Sequence, residues 1–425
     1  MMQAPELNDC FLHDKDRLTH DAAVELLVTR VPTLRRIEDV LLAEAHGRVV
    51  GKDVTAAAPI PGHRNAAVDG YALRFADYET AGAAPLLVSA RVAAGHPLQK
   101  PHAPGTVVRI FTGAPVPHAC DTVVMQEDVT RADVDGQAQI KLPTGVKRGS
   151  NIRDAGEDVA MSDTIASAGT RLRPQECAAL ASAGVETVAC FARPRVAYFS
   201  SGDEVVRPGR PLAHGQVYDA NVAMLPDLIR IAGGIPVDCG ILPDSRDAVR
   251  AALREAATSH DLVLTSGGAS LGEEDHIVSV LDEIGRRHLW QIAVKPGRPM
   301  MFGQVENALF MGLPGNPVAV FVCFLLYGQP LLARLGGATW RPPTRFPVAA
   351  GFEIARKKVD RREYLRGWLE AGPDGLIAQK FPRDGSGLIS SLRAASGFIE
   401  LPEHVSQVRP GSSVNFIPLA EFGVR

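Results

Sequence analysis

A surplus of basic charge is the first thing this sequence lacks. Forty-five Lys and Arg stand against 48 Asp and Glu in 425 residues, a formal net charge of −3. Nothing is left over to neutralise a phosphate backbone, so nucleic acid is not expected as the main partner. Cysteine is also scarce. The six stand at positions 10, 120, 177, 190, 239 and 323, and no two form a CxxC pair. That spacing gives neither a zinc site nor a disulfide framework, and reduced thiols in a cytoplasmic protein are expected. The opening stretch "MMQAPELNDCFLHDKDR" is too acidic and polar to read as a secretory signal. The most apolar run, "PVAVFVCFLLYGQPLLARL" at 317–335, is broken by Gly328-Gln329-Pro330. Its first part falls short of the ~20 residues needed to cross a bilayer, so no membrane partner is expected and a buried helix is. No HExxH, GxGxxG or Walker loop occurs, and "SSG" at 200–202 lacks the flanking glycines of a nucleophile elbow.

What is present divides the chain into zones. Residues 15–55 begin with "THDAAVELLVTRV", whose Ala23, Leu26, Leu27 and Val31 have helical spacing. Residues 56–149 are rich in Pro, Gly and Val with short alternating runs, a β-rich texture. Residues 150–190 are mixed, with a helix expected over "RPQECAALASAGV". From 191 to 338 strands and helices alternate. "PRVAYFSSGDE", "IPVDCGILPD", "DLVLTSGG" and "ALFMGLPGNP" read as strands. The helices are expected to start near Asn221, read as an N-cap, and near Ser245, Glu273 and Pro317, the one from 273 running to Arg287. This predicts a doubly wound, mostly parallel α/β unit. Residues 339–425 return to short strands, a small β-domain or barrel.

In an open parallel sheet, ligands bind beyond the carboxyl ends of the strands. Four loops lie there: "SSGDE" (200–204), "LPDS" (242–245), "TSGGASLGEEDH" (265–276) and "GLPGNP" (312–317). Gly267 and Gly268 lack Cβ atoms, so backbone N–H groups can approach an oxyanion at a helix start. Glu273, Glu274 and Asp275 beside them would repel a phosphate unless magnesium mediates; the plain alternative is a capped helix with solvated acids. Lys295 and Arg298 flank a Pro-Gly turn, and two cations on one turn suit a small anion. The residues alone therefore point to a phosphorylated, nucleotide-like ligand with a cation at the end of a parallel sheet.

Nine stretches resemble one family in order: "NAAVDGYA", "IFTGAPVP", "DTVVMQE", "NIRDAGED", "FSSGDE", "TSGGASLGEEDH", "VKPGRP", "GLPGNPVAV" and "GSGLISSL". The family is the molybdopterin molybdotransferases, or molybdenum insertases, related to the C-terminal domain of gephyrin. The resemblance implies a homodimer of four-domain subunits. A dimerisation unit (15–55 plus 150–190) would carry the β-rich 56–149, followed by a molybdopterin-binding α/β domain at 191–338 and a β-barrel at 339–425. The implied reaction uses molybdate and adenylylated molybdopterin, releases AMP, and takes Mg²⁺ as metal. Contacts with a molybdopterin adenylyltransferase and with recipient molybdoenzymes are implied as well. Asp69, Asp158, Glu204, Asp244 and Asp275 are the implied catalytic acids, with Glu204, Asp244 and Asp275 near metal. Thr112, Ser201, Gly202, Gly267, Gly268, Lys295, Arg298, Pro314, Pro317 and Ser386 are the implied binding residues. Asp69 and Asp158 would reach the site across the dimer interface. The family's usual Ser and Met are replaced by Ala66 and Val68, an Asn by Ser396, and a Lys found in many members by Gln291. Strand alternation from Lys295 would put residue 291 on the same side. A non-catalytic molybdopterin-binding scaffold, or a molybdopterin adenylyltransferase, is the rival reading.

Overall fold

The computed structural model describes residues 17–268 and 276–424, with Leu289 and Trp290 described by backbone alone. The apolar runs of the middle region build a six-stranded sheet. Ile235–Leu242, Arg195–Ser201, Leu262–Ser266 and Ala308–Leu313 lie parallel in that order, and Pro299–Val305 and Gly285–Gln291 extend it antiparallel. Alternation along each strand feeds two separate cores. Val196, Tyr198, Leu262 and Leu264 face one, with helices Asn221–Ile231 and Pro317–Leu335; Ala197, Phe199 and Val263 face the other, with helices Arg246–Ser259 and His276–Ile284. Burying a large apolar side chain stabilises by ~1.5–3 kcal/mol, so each face fixes the register of the strands beneath it.

Three local expectations are corrected. The helix expected to run to Arg287 ends at Ile284, and Gly285 opens an antiparallel strand. A Cβ at Gly285 would lie 2.2 Å from the Gln304 carbonyl oxygen, so this close pairing needs glycine. The cap of the 221–231 helix is Asp219, whose Oδ1 accepts from the Val222 N–H at 3.0 Å, and not Asn221. Gly328-Gln329-Pro330 does not interrupt the apolar helix. A wider π-type turn over Phe324–Gly328 carries the chain into Gln329–Leu335, accommodating a proline that lacks an N–H. By length and composition this helix could cross a membrane, yet 94% of its apolar window is buried inside the protein, which makes it a core helix.

In the N-terminal part, Thr122–Met125, Gly70–Leu73, Thr106–Ile110, Leu86–Val92, Gln137–Lys141 and Thr130–Val134 form a six-stranded sheet in that order. The segments before and after it pair with each other: Ile37–Leu41 with Thr187–Phe191, and Val54–Thr55 with Thr164–Ala166. Helix His20–Arg30, capped by the Thr19 hydroxyl, lays Ala23 and Leu27 against the core helix. At the C-terminal end five strands close into a barrel: Phe346–Ala350, Arg362–Gly372, Gly375–Lys380, Gly397–Leu401 and Ser413–Pro418. A parallel pair, Val294–Lys295 with Arg362–Glu363, joins the barrel to the α/β unit.

Candidate functional site

That joint sets a cleft of about 300 Å³ between the two units. The turn Lys295–Pro299 forms one wall, Pro314, Asn316 and Ala319 a second, and Arg361, Tyr364, Arg366 and Asp384–Ser386 of the barrel a third. The turn is held close. Gly297 has φ +104°, and a Cβ there would stand 2.0 Å from Cys323 Sγ on the core helix, so no other residue fits. The Ser386 carbonyl accepts from the Val318 N–H at 3.0 Å and ties the barrel loop to the start of that helix, where Pro317 takes the first position.

Four cations line this cleft. Lys295 and Arg361 share Glu363, at 3.5 and 2.7 Å, and Asp384 is met by Lys380 at 3.4 Å. Among the described residues Arg298 and Arg366 have no ion pair. Arg366 is buried, and its orientation is fixed: Nε donates to Ser391 Oγ at 3.0 Å and Nη2 to the Gly385 carbonyl at 3.2 Å. Burial pulls its pKa below the ordinary arginine value, and the nearby Asp384 carboxylate offsets only part of that. A pre-oriented guanidinium with a compact partner cation is suited to a small oxyanion. Lys295, Arg298, Pro314 and Ser386 were expected from sequence and converge here. Arg361 and Arg366 were missed. They lie in the barrel segment "RREYLRGW"; Arg366 sits inside the strand and Arg361 just before it, and nothing local sets either apart from the paired Arg362.

The strand-end loops gather beside this region. The Asp203 N–H donates to Asp244 Oδ2 at 3.3 Å, and the Asp244 N–H returns a bond to Asp203 Oδ1 at 3.1 Å. Glu204 folds over Gly202, and Ser201 ends its strand against Gly267, where a Cβ would lie 2.9 Å from the Ser201 carbonyl oxygen. Gly268 follows at φ +71°. Thr265 Oγ1, Ser266 Oγ and Asn221 Oδ1 are buried here with no hydrogen-bond partner among the described residues, while Asn221 Nδ2 donates to the Gly315 carbonyl at 2.9 Å. Unpaired buried polar atoms at strand ends are suited to a polar ligand. Asp219, which sequence reading also missed, is buried under these loops and takes Ser200 Oγ at 2.5 Å and Arg207 Nη1 at 3.0 Å.

Asp275 lies outside the described residues. Among those described, no group of three or more His, Cys, Asp or Glu is placed to hold a metal; of the expected three carboxylates, Glu204 and Asp244 are described and lie on neighbouring loops. Asp69 and Thr112 do meet: Asp69 Oδ1 accepts from the Thr112 N–H at 2.8 Å and from its hydroxyl at 2.7 Å, which holds the carboxyl below its ordinary value. Asp158 is exposed, its N–H bonded to the Ile60 carbonyl. None of these three lines the cleft of its own chain. Gln291 is corrected. It closes a strand of the α/β sheet and accepts from Arg17 Nε at 3.3 Å, whereas Lys295 pairs into the barrel sheet, so alternation does not join them. Ala66 is buried in an apolar cluster with Val68 packed on it, and the Ser396 N–H is bonded to the Gly367 carbonyl.

Comparison with known proteins agrees with this layout. Three family models match: "MoeA N-terminal region (domain I and II)" at residues 18–184, "Probable molybdopterin binding domain" at 197–334, and "MoeA C-terminal region (domain IV)" at 350–419. A molybdopterin molybdenumtransferase of Haemophilus influenzae is 36% identical over 94% of this chain and 98% of its own length. The gephyrin of Dictyostelium discoideum is 26% identical over 93% of this chain and 61% of its own. The solved molybdopterin biosynthesis MoeA protein of Pyrococcus horikoshii superposes with a TM-score of 0.79 at 29% identity, covering 95% of this chain and all of that one. The chain belongs to the MoeA, or molybdopterin molybdenumtransferase, family.

Proposed function

We propose that this protein is a molybdopterin molybdenumtransferase, which takes molybdate and adenylylated molybdopterin, releases AMP, and leaves molybdenum on the dithiolene sulfurs. The observation that carries this reading is the convergence of Lys295, Arg298, Arg361 and Arg366 on one small cleft beside the strand-end loops. Molybdate is a compact dianion, and among the described residues Arg298 and Arg366 supply two charges with no carboxylate in ion-pair contact, Asp384 acting on Arg366 only from a distance. The loops at 201–204, 242–245 and 265–268 then take the pterin and phosphate groups. Their glycines allow backbone approach, and the unpaired Ser266 and Asn221 atoms accept from a heterocycle's N–H groups.

Magnesium fits the donor set. It binds through one or two carboxylates together with substrate phosphate oxygens, and Glu204 and Asp244 are oxygen donors on adjacent loops. When bound, it would neutralise charge on the phosphoanhydride. The protein's own part is to fix the anhydride between these loops and to keep the molybdate within reach of the sulfurs. We further read the chain as a homodimer of the cytoplasm in which Asp69, Thr112 and Asp158 face the partner's site; their absence from their own chain's cleft supports that. Contacts with a molybdopterin adenylyltransferase and with recipient molybdoenzymes belong to the same reading. The test is AMP release from adenylylated molybdopterin with magnesium and molybdate. Release that requires molybdate is expected. Binding without release returns the scaffold reading.

A further inference from the structure

Arg366 enters the seam cleft with its direction already set, and a single hydroxyl on the neighbouring helix sets it. Arg366 lies buried in strand Arg362–Gly372. Ser391 lies on the short helix Ile389–Ala394 and is fully buried, while Ser390 beside it is exposed. The Ser391 hydroxyl donates to the Leu388 carbonyl at 2.7 Å. A serine hydroxyl has one hydrogen, so towards Arg366 Nε, 3.0 Å away, it can only accept. A helical serine that bonds back to the carbonyl three residues earlier is common, and that bond alone indicates no role. Here it also spends the hydrogen and turns the lone pairs to a buried guanidinium.

A guanidinium carries its N–H donors in a rigid planar fork. Ser391 Oγ takes the Nε hydrogen and the Gly385 carbonyl takes one from Nη2, and these two lie along one edge of the fork. The other edge, both hydrogens of Nη1 and the second of Nη2, has no bond among the described residues, and Arg366 forms part of the cleft wall. Asp384 acts on Arg366 only from a distance, since it is exposed and met by Lys380 at 3.4 Å. Without an acceptor at Nε the fork is free to turn, and a donor that must be ordered during binding costs affinity. We propose that Ser391 is a positioning residue whose hydroxyl holds the free edge of Arg366 towards the bound anion, a role that rests on reading the cleft as a molybdate site.

The test is equilibrium binding of molybdate to the full chain, by calorimetry at fixed ionic strength, in a double-mutant cycle of Ser391→Ala and Arg366→Met. Arg366→Met alone is expected to weaken molybdate at least tenfold. Ser391→Ala alone is expected to weaken it about three- to tenfold, the worth of one hydrogen bond. In the Arg366→Met background Ser391→Ala should change nothing further, because the hydroxyl acts only through the guanidinium. If the alanine variant does not fold, Ser391→Cys, close in volume and a weaker acceptor, takes its place with the same expected direction. Normal binding in Arg366→Met overturns the molybdate reading of the cleft, and the role of Ser391 with it. Weakened binding in Arg366→Met beside normal binding in Ser391→Ala overturns the role of Ser391 alone. So does a loss in Ser391→Ala that recurs undiminished in the Arg366→Met background, which would make Ser391 a packing residue.

Discussion

Two cavities flank the barrel strand Arg362–Gly372, and both are lined by arginine. Among the described residues, Arg298 and Arg366 in the seam cleft have no carboxylate in ion-pair contact, although Asp384 lines the same cleft. The other, a cavity of about 750 Å³ between helix His20–Arg30, the core helix and the barrel, holds Arg345 and Arg362. There every guanidinium is answered. Arg345 binds Glu400 at 2.8 and 3.2 Å, and Arg362 binds Asp21 at 2.8 and 2.9 Å and Glu403 at 3.1 Å. Tyr364 donates its hydroxyl to the same Glu400 at 3.1 Å. The difference teaches that arginine count does not make an anion site. Pairing decides: one cavity spends its charge on cohesion between helix and barrel, and the other keeps it for a ligand.

The largest effect expected from breaking this contrast is on stability. Glu400→Gln leaves the half-buried Arg345 without a counter-charge, while Arg362 keeps Asp21 and Glu403, and should cost about 3 kcal/mol in urea unfolding, the lower end of the range for a fully buried pair. The half-saturating molybdate concentration for AMP release should not move. Next comes a pH effect confined to the paired side. His20 is buried against Tyr327 and Tyr364, with Nδ1 3.0 Å from the Tyr327 hydroxyl. Burial, reinforced by Arg362, lowers its pKa from 6.5 to about 4. Because the folded pKa is depressed, the unfolded chain binds the proton first. Stability is therefore complete above pH 6.5 and falls as pH drops towards 4, by up to ~3 kcal/mol. His20→Gln should flatten that slope. Burial pushes Glu400 up, but Arg345 and Arg362 bring it below its ordinary value of 4.5, so its own contribution is lost only at more acid pH.

On the unpaired side, Arg366→Met should lower AMP release at subsaturating molybdate about 10- to 100-fold, the worth of a charge-assisted hydrogen bond of ~1.5–3 kcal/mol. Lys295→Ala should raise half-saturating molybdate only severalfold, because Lys295 is 41% exposed and half-screened by Glu363. Gln291→Lys should do nothing to it, since residue 291 faces Arg17 and not the cleft.

The four parallel strands of the α/β unit were legible because each is a short apolar run leading into a loop of Gly, Ser, Pro or acid, whereas the antiparallel Gly285–Gln291, GRRHLWQ, has no such pattern and reads in part as helix. The strand-end loops followed from that order alone. What stayed hidden depended on distant partners. Arg366 reaches the cleft only because the barrel closes against Lys295, and no local pattern tells a ligand-facing arginine from a paired one such as Arg362. Asp219 looked like a loop residue until Ser200, Arg207 and the Val222 N–H met on it. Pro330 read as a helix breaker because the wider turn that absorbs it sits one turn earlier, in residues with no unusual signature.

The central claim, that unpaired and not merely buried arginine holds the anion, is tested most directly by equilibrium molybdate binding in two matched variants. Arg366→Met and Arg345→Met each remove one guanidinium from the barrel side of a cavity. The account predicts that Arg366→Met weakens molybdate at least tenfold while Arg345→Met, checked for folding, binds as the wild type does. Equal weakening in both, or normal binding in Arg366→Met, would contradict it.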